Sequence, residues 1–164
     1  MADGKLTRDA VMALYQRHGA ALAAYACSRG LDFGSAEDMV QQIFLKLLEG
    51  RVAPGLAPVG YLYRAVRNAS SNLRRDCQRE VEMPAEELWL THNSADRAEI
   101  LSIQQALMEL PEEQREAVIL RIWGGLTLLE IAEATGSPLN TVASRYRYAL
   151  EKLRERLAAR SMKE

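Results

Sequence analysis

Hydrophobic residues recur every three or four positions along most of the chain, and the alternation that marks β-strands is nearly missing. We therefore expect an all-α fold. The predicted helices cover residues 6–28, 36–49, 58–79, 95–110, 111–123 and 127–134, followed by a long helix from Pro138 onwards. Hydroxyl side chains at Ser35, Thr127 and Ser137 are expected to cap the helices that follow them, with Glu130 completing a capping box at Thr127.

The segment before residue 97 interrupts this pattern. It has no helical period and is rich in acids, which is typical of a flexible linker. The sequence thus predicts two small helical domains, residues 1–80 and 97–164, joined by an acidic linker at residues 81–96. In the second domain, a short helix, a turn at Gly136 and a long final helix form a helix-turn-helix pattern.

The helix at residues 36–49 has two distinct faces on a wheel of roughly 100° per residue. Its apolar face is expected to pack into the core and consists of Ala36, Met39, Val40, Ile43, Phe44 and Leu47. Its opposite face carries Asp38, Gln41, Gln42 and Leu45. An apolar residue at the centre of a polar rim is a common arrangement in protein interfaces, although single exposed leucines are also ordinary.

The helix at residues 58–79 combines an apolar face with a basic one. The predicted core positions are Val59, Leu62, Val66, Ala69, Leu73 and Cys77, with Tyr63 beside them. The predicted outward side chains include Tyr61, Arg64, Arg67, Asn68, Arg74 and Arg75. Arginines neutralise phosphates and tyrosine rings stack on unpaired bases, so this face could bind a nucleic acid. The alternative is an ordinary charged face exposed to solvent, which is weakened here because the face lacks acids.

The final helix is expected to divide its two tyrosines between core and surface. Its predicted core face consists of Leu139, Val142, Tyr146, Ala149, Leu150, Leu153 and Leu157. The groups available to DNA are Asn140, Thr141, Ser144, Arg145, Arg147 and Tyr148, with Arg145 at the border of the core. In helix-turn-helix motifs the first turns of this helix meet base edges while arginines hold phosphates. A solvated helix in a bundle would show a similar pattern.

Charge is strongly segregated, although the whole chain has a net charge of only −1. Residues 58–79 hold five arginines and one acid, and residues 138–160 hold six bases and two acids. Between them, residues 80–99 hold six acids and one arginine. The two basic segments therefore coincide with the two helices that have nucleic-acid-binding faces.

Enzymatic and metal-dependent functions find no support in the sequence. The two cysteines lie fifty residues apart and share no ligand spacing with the two histidines, so no metal site is predicted. No glycine-rich phosphate loop or nucleophile–base set is present, so no cofactor or catalytic residue is predicted. Without a membrane-length apolar run or a signal-peptide core, we expect a cytoplasmic protein with no membrane insertion of its own.

Three segments resemble, in order, regions two and four of bacterial RNA polymerase sigma factors: AEDMVQQIFLKLLE, GYLYRAVRNASSNLRRD and LPEEQREAVILRIWGGLTLLEIAEATGSPLNTVASRYRYALEKLRERL. The short linker without an intervening domain is similar to the extracytoplasmic-function group. The resemblance covers most of residues 10–157. It implies a factor that binds core RNA polymerase and directs promoter recognition and opening, and it implies an anti-sigma factor as a further partner.

The resemblance also implies roles for individual residues. The acid and amide surface would dock on the clamp coiled coil of core polymerase through Asp38, Gln41, Gln42 and Leu45. The basic helix of region two would capture and open the minus-ten element through Tyr61, Arg64, Arg67, Asn68, Arg74 and Arg75. The helix-turn-helix would read the minus-thirty-five duplex through Asn140, Thr141, Ser144, Arg145, Arg147 and Tyr148.

The chain departs from the family pattern in two places. The loop EGRVAPGLAPVG before Tyr61 has no aromatic residue and no acid after Glu49, whereas the family often has a longer, more polar loop that selects a flipped base. The last helix has Ala143, Tyr148 and Leu150 where similar members often carry bases. The different loop leaves the base preference at minus-ten open, and the fewer bases in the last helix indicate weaker phosphate binding by region four.

Two other functions remain as alternatives. One is a stand-alone helix-turn-helix regulator that never binds polymerase, which leaves the basic helix at residues 58–79 and the surface from Asp38 to Leu45 without a role. The other is a sigma-like decoy that binds only proteins, which the arginine-rich faces oppose.

Overall fold

The computed structural model describes residues 5–52, 58–76 and 96–163, except for the side chains of residues 74–76. The chain divides into two compact units, Met1–Met83 and Pro84–Glu164. Regular structure in the described residues is entirely helical, so the predicted all-α fold is confirmed. None of the helices in these residues combines the length and apolarity that crossing a membrane requires.

The first unit contains three helices that pack on one another: α1 (Arg8–Ser28), α2 (Phe33–Leu48) and α3 (Pro58–Asp76). Residues 22–29 are buried without interruption, because this end of α1 is covered by both of the other helices. Its alanines allow close approach, while Leu22 and Tyr25 fill the interior. The six core residues predicted for α2 are all buried, which confirms its assigned phase.

The start of α2 differs from the sequence prediction. Asp32 occupies the N-cap, and its carboxylate accepts a hydrogen bond from the backbone N–H of Ser35 at 3.0 Å. Ser35 is therefore the third helical residue, and its prediction as the cap was wrong. The carboxylate three residues upstream satisfies an N–H group that would otherwise lack a partner.

The buried face of α3 is rotated relative to the prediction. Leu62 and Val66 are buried as expected, but Tyr63 lies fully inside the core with 1% exposure, and Ser70 is completely buried. Leu73 is 41% exposed, so its assignment to the core was wrong. Because α3 packs against both α1 and α2, two partners decide which of its sides is buried, and the apolar stripe alone does not. Cys77 lies outside the described residues.

The second unit also has a helical core, formed by α4 (Arg97–Met108), α5 (Glu112–Val118), α6 (Leu128–Thr135) and α7 (Leu139–Ser161). The long α7 packs against each of the other three helices. At its far end, Arg156 and Arg160 pair with Glu109, which follows α4. The prediction of one regular helix over residues 111–123 was wrong at its end, where Ile119–Trp123 form a π-helical turn.

The helix-turn-helix begins and turns largely as predicted. Thr127 and Glu130 form the capping box, with reciprocal hydrogen bonds of 3.1 Å to each other's backbone N–H groups. Gly136 adopts the left-handed conformation, with φ of 69°, that ends α6. However, Ser137 does not cap α7, because Pro138 occupies the N-cap and the Ser137 hydroxyl accepts a hydrogen bond from Arg145 instead.

Packing of α7 follows the predicted face with one exception. Val142, Ala149 and Leu153 are buried, and Tyr146 is half-buried as one edge of this face. Leu139 is 45% exposed, so its assignment to the core was wrong. It is the first residue of the helix and lies beyond the arc that the neighbouring helices cover.

Candidate polymerase and nucleic-acid interfaces

The outward face of α2 is polar with an apolar centre. Asp38, Gln41 and Gln42 are all exposed, and Leu45 among them is 46% exposed. The six buried residues on the opposite face fix the rotation of the helix, so these four side chains point away from the core together. Such a surface can bind a protein partner by combining apolar burial with hydrogen bonds from amides and a carboxylate.

An apolar groove between α1 and α2 continues this face. Val11 and Phe44 lie at its floor, and the ring of Tyr15 packs edge-on against Phe44 at 5.1 Å between centroids. Its volume is about 250 Å³. Leu45 and Gln41 belong to both the groove and the polar face.

The groove also exposes apolar side chains that the sequence interpretation missed. Met12 is 42% exposed, Tyr15 38% and Leu48 41%. Their spacing gave a usable signal, because each helix places two large apolar residues three positions apart on its outward side. Clustered exposed apolar side chains mark interaction surfaces more reliably than the single leucine predicted from the sequence.

The outward face of α3 is basic and amidic. Arg64 and Asn68 are exposed, and Arg67 and Tyr61 are half-buried beside them. Residues 58–73 contain no acid. Partial burial raises the pKa of Tyr61, which therefore remains a neutral phenol at physiological pH. The predicted contributions of the Arg74 and Arg75 side chains lie outside the described residues.

The inner side of α3 contains polar groups that the sequence interpretation did not identify. Arg29, at the end of α1, is only 7% exposed and donates hydrogen bonds to Ser70 and Ser71. The hydroxyl of Tyr63 is buried without a hydrogen-bond partner among the described residues, and burial raises the pKa of this phenol well above its ordinary value. No sequence signal identified Arg29, because an arginine after a helix usually reaches into solvent.

The first turns of α7 present most of the predicted DNA-facing residues on one side. Asn140 and Arg147 are exposed, and Thr141 and Ser144 are half-buried next to them. Tyr148 is 49% exposed, as predicted. The guanidinium of Arg147 lies 5.1 Å from the centre of the Tyr148 ring, a distance that permits a cation–π contact.

Arg145 is engaged within the unit. Its guanidinium donates a hydrogen bond to the Ser137 hydroxyl at 3.0 Å and forms an ion pair with Glu113 at 3.5 Å. Its side chain is 26% exposed, which agrees with its predicted position at the border of the core. These contacts connect the start of α5, the turn after α6 and α7.

Comparisons with known proteins identify the family. Residues 14–80 match the family described as Sigma-70 region 2, and residues 100–153 match Sigma-70, region 4. The chain is 29% identical to the ECF RNA polymerase sigma factor RpoE of Cereibacter sphaeroides over 156 residues, covering 88% of this chain and 84% of that one. It is 30% identical to the ECF RNA polymerase sigma factor EcfG of Rhodopseudomonas palustris over 138 residues, covering 80% and 76%.

Solved structures agree. The fold is similar to the sigma factor RpoE in complex with the anti-sigma factor NepR from Bartonella quintana, with a TM-score of 0.73, 26% identity and coverage of 93% of this chain and 98% of that one. It is also similar to CnrH in complex with the cytosolic domain of CnrY, with a TM-score of 0.69, 25% identity and coverage of 95% and 92%.

The chain therefore belongs to the sigma-70 family of RNA polymerase sigma factors, in the extracytoplasmic-function group. It is a transcription initiation factor that binds core RNA polymerase and directs the recognition and opening of promoter DNA. The alternative of a stand-alone helix-turn-helix regulator is not favoured, because the match includes region two as well as region four.

Proposed function

We propose that three separate surfaces of this sigma factor carry the three steps of promoter selection. Region two, assigned to residues 1–80, would bind core polymerase and the minus-ten element. Region four, assigned to residues 97–164, would bind the minus-thirty-five element, with residues 81–96 as the linker. The proposed role consists of promoter recognition and the opening of its DNA strands, and it includes no covalent chemistry. We place this role in the cytoplasm, where core polymerase and promoter DNA meet.

The observation that carries this proposal is the acid-free outer face of α3. It lies in the unit without the helix-turn-helix, so a duplex-reading domain alone leaves it without a function. Exposed arginine and amide side chains beside a neutral tyrosine suit a separated strand, since charge holds its phosphates and a ring stacks on its bases. The residues assigned to the minus-ten strand are Tyr61, Arg64, Arg67, Asn68, Arg74 and Arg75.

Core polymerase is assigned to the outward face of α2 together with the apolar groove. The polar rim of this surface would consist of Asp38, Gln41 and Gln42, and its apolar centre would be Leu45. The groove would add apolar contact area beside them. Because NepR and CnrY are bound to similar sigma factors in those structures, we also propose an anti-sigma factor for this chain. A partner that covers this face would compete with polymerase.

The minus-thirty-five duplex is assigned to the first turns of α7. A helix enters the major groove, where base edges differ for each base pair. The residues assigned to this element are Asn140, Thr141, Ser144, Arg145, Arg147 and Tyr148. Arg145 would act mainly through its bridge to Ser137 and Glu113, which holds the recognition helix against the turn.

The deciding experiment reconstitutes the purified chain with core RNA polymerase and a library of upstream DNA. Promoter-specific initiation is the expected result. Binding to duplex DNA with no effect on polymerase would instead favour the stand-alone regulator.

Two double variants divide the function between surfaces. Gln42→Ala with Leu45→Ala is expected to weaken polymerase binding and leave the fold intact. Arg64→Ala with Arg67→Ala is expected to retain polymerase and lose strand opening, measured by permanganate reactivity of the melted strand. Arg17→Ala is a matched control for the first pair, because Arg17 is exposed on α1 about 200° around the helix from Tyr15. Unchanged permanganate reactivity in the arginine variant would overturn the assignment of α3.

A further inference from the structure

A charged side chain lies in the interior of the first unit, directly behind α3. Arg29 occupies the C-cap position of α1, and only 7% of its surface is exposed. Its guanidinium carbon is 5.8 Å from the centre of the Tyr25 ring, within range of a cation–π contact. Removing a charged group from water is costly unless hydrogen bonds replace those of the solvent.

Two nitrogens of the Arg29 guanidinium donate hydrogen bonds to side chains of α3. Nε donates to the hydroxyl of Ser70 at 2.6 Å, and a terminal nitrogen donates to the hydroxyl of Ser71 at 2.7 Å. Each hydroxyl in turn donates to the same acceptor, the backbone carbonyl oxygen of Arg67, at 3.0 and 2.9 Å. One rigid cation is thus connected through two hydroxyls to a single carbonyl group of the helix.

The carbonyl that accepts both hydrogen bonds belongs to Arg67. Arg67 lies in the same turn of α3 as Arg64 and Asn68, whose side chains are exposed. Serine hydroxyls that bond to a carbonyl three or four residues earlier alter the local bend of a helix. Here both hydroxyls are also held by the planar guanidinium of Arg29, which restricts the positions they can take along α3. The buried relay and the outward arginines therefore share one turn of α3.

Fold stability alone does not account for an arginine at this place. Buried ionic groups are often replaced by apolar residues of similar size without loss of stability, whereas they specify geometry where they are retained. A buried methionine would fill much of the same volume beside Tyr25. The rigid two-pronged contact, however, needs a guanidinium.

We infer that Arg29 is a positioning residue for promoter opening, which sets the local geometry of α3 so that its outer face fits the separated minus-ten strand. This inference rests on the proposed assignment of that strand to α3. Arg29 itself meets neither DNA nor polymerase in this role. It acts through Ser70, Ser71 and the carbonyl of Arg67.

The test measures open-complex formation by permanganate reactivity with the full chain bound to core polymerase. Arg29→Met is expected to slow opening about tenfold, the equivalent of one hydrogen bond to a charged group, with polymerase affinity within about twofold of the parent. Ser71→Ala should slow opening about threefold. Ser71→Thr should restore it, because a threonine hydroxyl in a helix bonds to the same carbonyl four residues earlier.

The serine pair protects the test against a folding defect in Arg29→Met, since Ser71 is only half-buried and both substitutions are small. A general loss of stability would not be reversed by the retained hydroxyl of threonine. Equal opening by the parent, Ser71→Ala and Ser71→Thr would overturn the inference.

Arg64→Ala separates this inference from the proposed function beneath it. If Arg64→Ala loses opening while Arg29→Met and Ser71→Ala open normally, the inference fails and the assignment of the strand to α3 stands. If Arg64→Ala opens normally, the assignment itself fails and takes the inference with it. If all three lose opening and Ser71→Thr keeps it, both are supported.

Discussion

Tyr148 is an outward aromatic residue of α7 at a position where similar family members often carry a base. It is 49% exposed, with the Arg147 guanidinium near its ring. We expect it to contribute van der Waals contact, for example with a thymine methyl, rather than charge. Tyr148→Arg should therefore tighten binding to a minus-thirty-five duplex and steepen the salt dependence by about one unit of log–log slope.

A second arginine variant distinguishes added charge from its position. Ala158 is exposed near the end of α7, far along the helix from its first turns, so Ala158→Arg adds the same charge away from the proposed DNA face. Its salt slope should stay close to that of the parent. Identical behaviour of Tyr148→Arg and Ala158→Arg would show that Tyr148 does not lie at the DNA.

The two arginines that flank Tyr146 should differ in what they contribute. Arg147 is exposed, whereas Arg145 is held by Ser137 and Glu113. Arg147→Ala should lower the salt slope of duplex binding by about one, as expected for one lost phosphate contact. Arg145→Ala should change the slope less but lower the stability of the second unit by up to about 1 kcal/mol, since its carboxylate partner is largely exposed.

In a Trp89→Phe background, tryptophan fluorescence measures the stability part of this comparison selectively, because the remaining Trp123 lies in the second unit. The slope part needs duplex titrations at several salt concentrations. A slope change in Arg145→Ala as large as that in Arg147→Ala would place the Arg145 side chain on phosphate.

At the scale of single residues, periodicity predicted burial well where a helix packs with one apolar stripe. All six core positions of α2 were correct. It failed for Tyr63, Ser70 and Leu73, because α3 packs against two helices and the wheel cannot show which side of α3 they cover. It also could not find Arg29, whose burial depends on two serines about forty positions later.

At the scale of elements, the cap of α2 makes a prediction about pH. Hydrogen bonds from the side chain and the backbone N–H of Ser35 lower the pKa of the Asp32 carboxyl below its ordinary value, so the native state favours the charged form. Its contribution to stability is therefore complete above the unfolded pKa and is lost as the pH falls through the lower folded pKa. Asp32→Asn should keep most of the cap at neutral pH and flatten this acid dependence, whereas Asp32→Ala should cost about 1 kcal/mol at pH 7.

The measurement is urea unfolding by far-UV circular dichroism, which follows both units, at pH values on either side of 4. Tryptophan fluorescence in the same Trp89→Phe background is the internal control, because Trp123 lies in the second unit and its signal should not change in either variant. An acid dependence in Asp32→Asn equal to that of the parent would show that the cap is not its source.

Helices were predicted more reliably than their ends. Every predicted helix that falls in the described residues has a counterpart within a few positions, because each combines a sustained apolar period with clear breakers. The cap at Ser35 was wrong because Asp32, three residues earlier, is the side chain that accepts the hydrogen bond at the start of α2. The cap at Ser137 was wrong because the Ser137 hydroxyl accepts a hydrogen bond from Arg145 instead. The π-helical turn at Ile119–Trp123 was not predicted, because no composition signal in the sequence marks it.

At the scale of the whole molecule, the segregation of charge should control selectivity for promoters. The acidic segment at residues 80–99 lies in sequence between the two basic ones and has a net charge of −5, from six acids and one arginine. Negative charge tethered close to a DNA-binding face repels phosphate and lowers non-specific affinity, an effect limited by a Debye length of about 8 Å at physiological salt. A weak grip of each unit would then become useful only when polymerase holds both on one promoter.

Replacing Glu80, Glu82, Glu86 and Glu87 by glutamine removes four of these charges and should tighten binding of the free protein to non-specific duplex at low salt. The difference should fade toward 1 M salt, where the Debye length falls to about 3 Å. The same four positions changed to aspartate keep the charge and should behave like the parent, which separates charge from side-chain size. Promoter-specific initiation with polymerase should change less than non-specific binding, so the ratio of the two falls in the glutamine variant. Equal non-specific affinity of the glutamine and aspartate variants across the salt range would show that the acidic segment does not screen the basic faces.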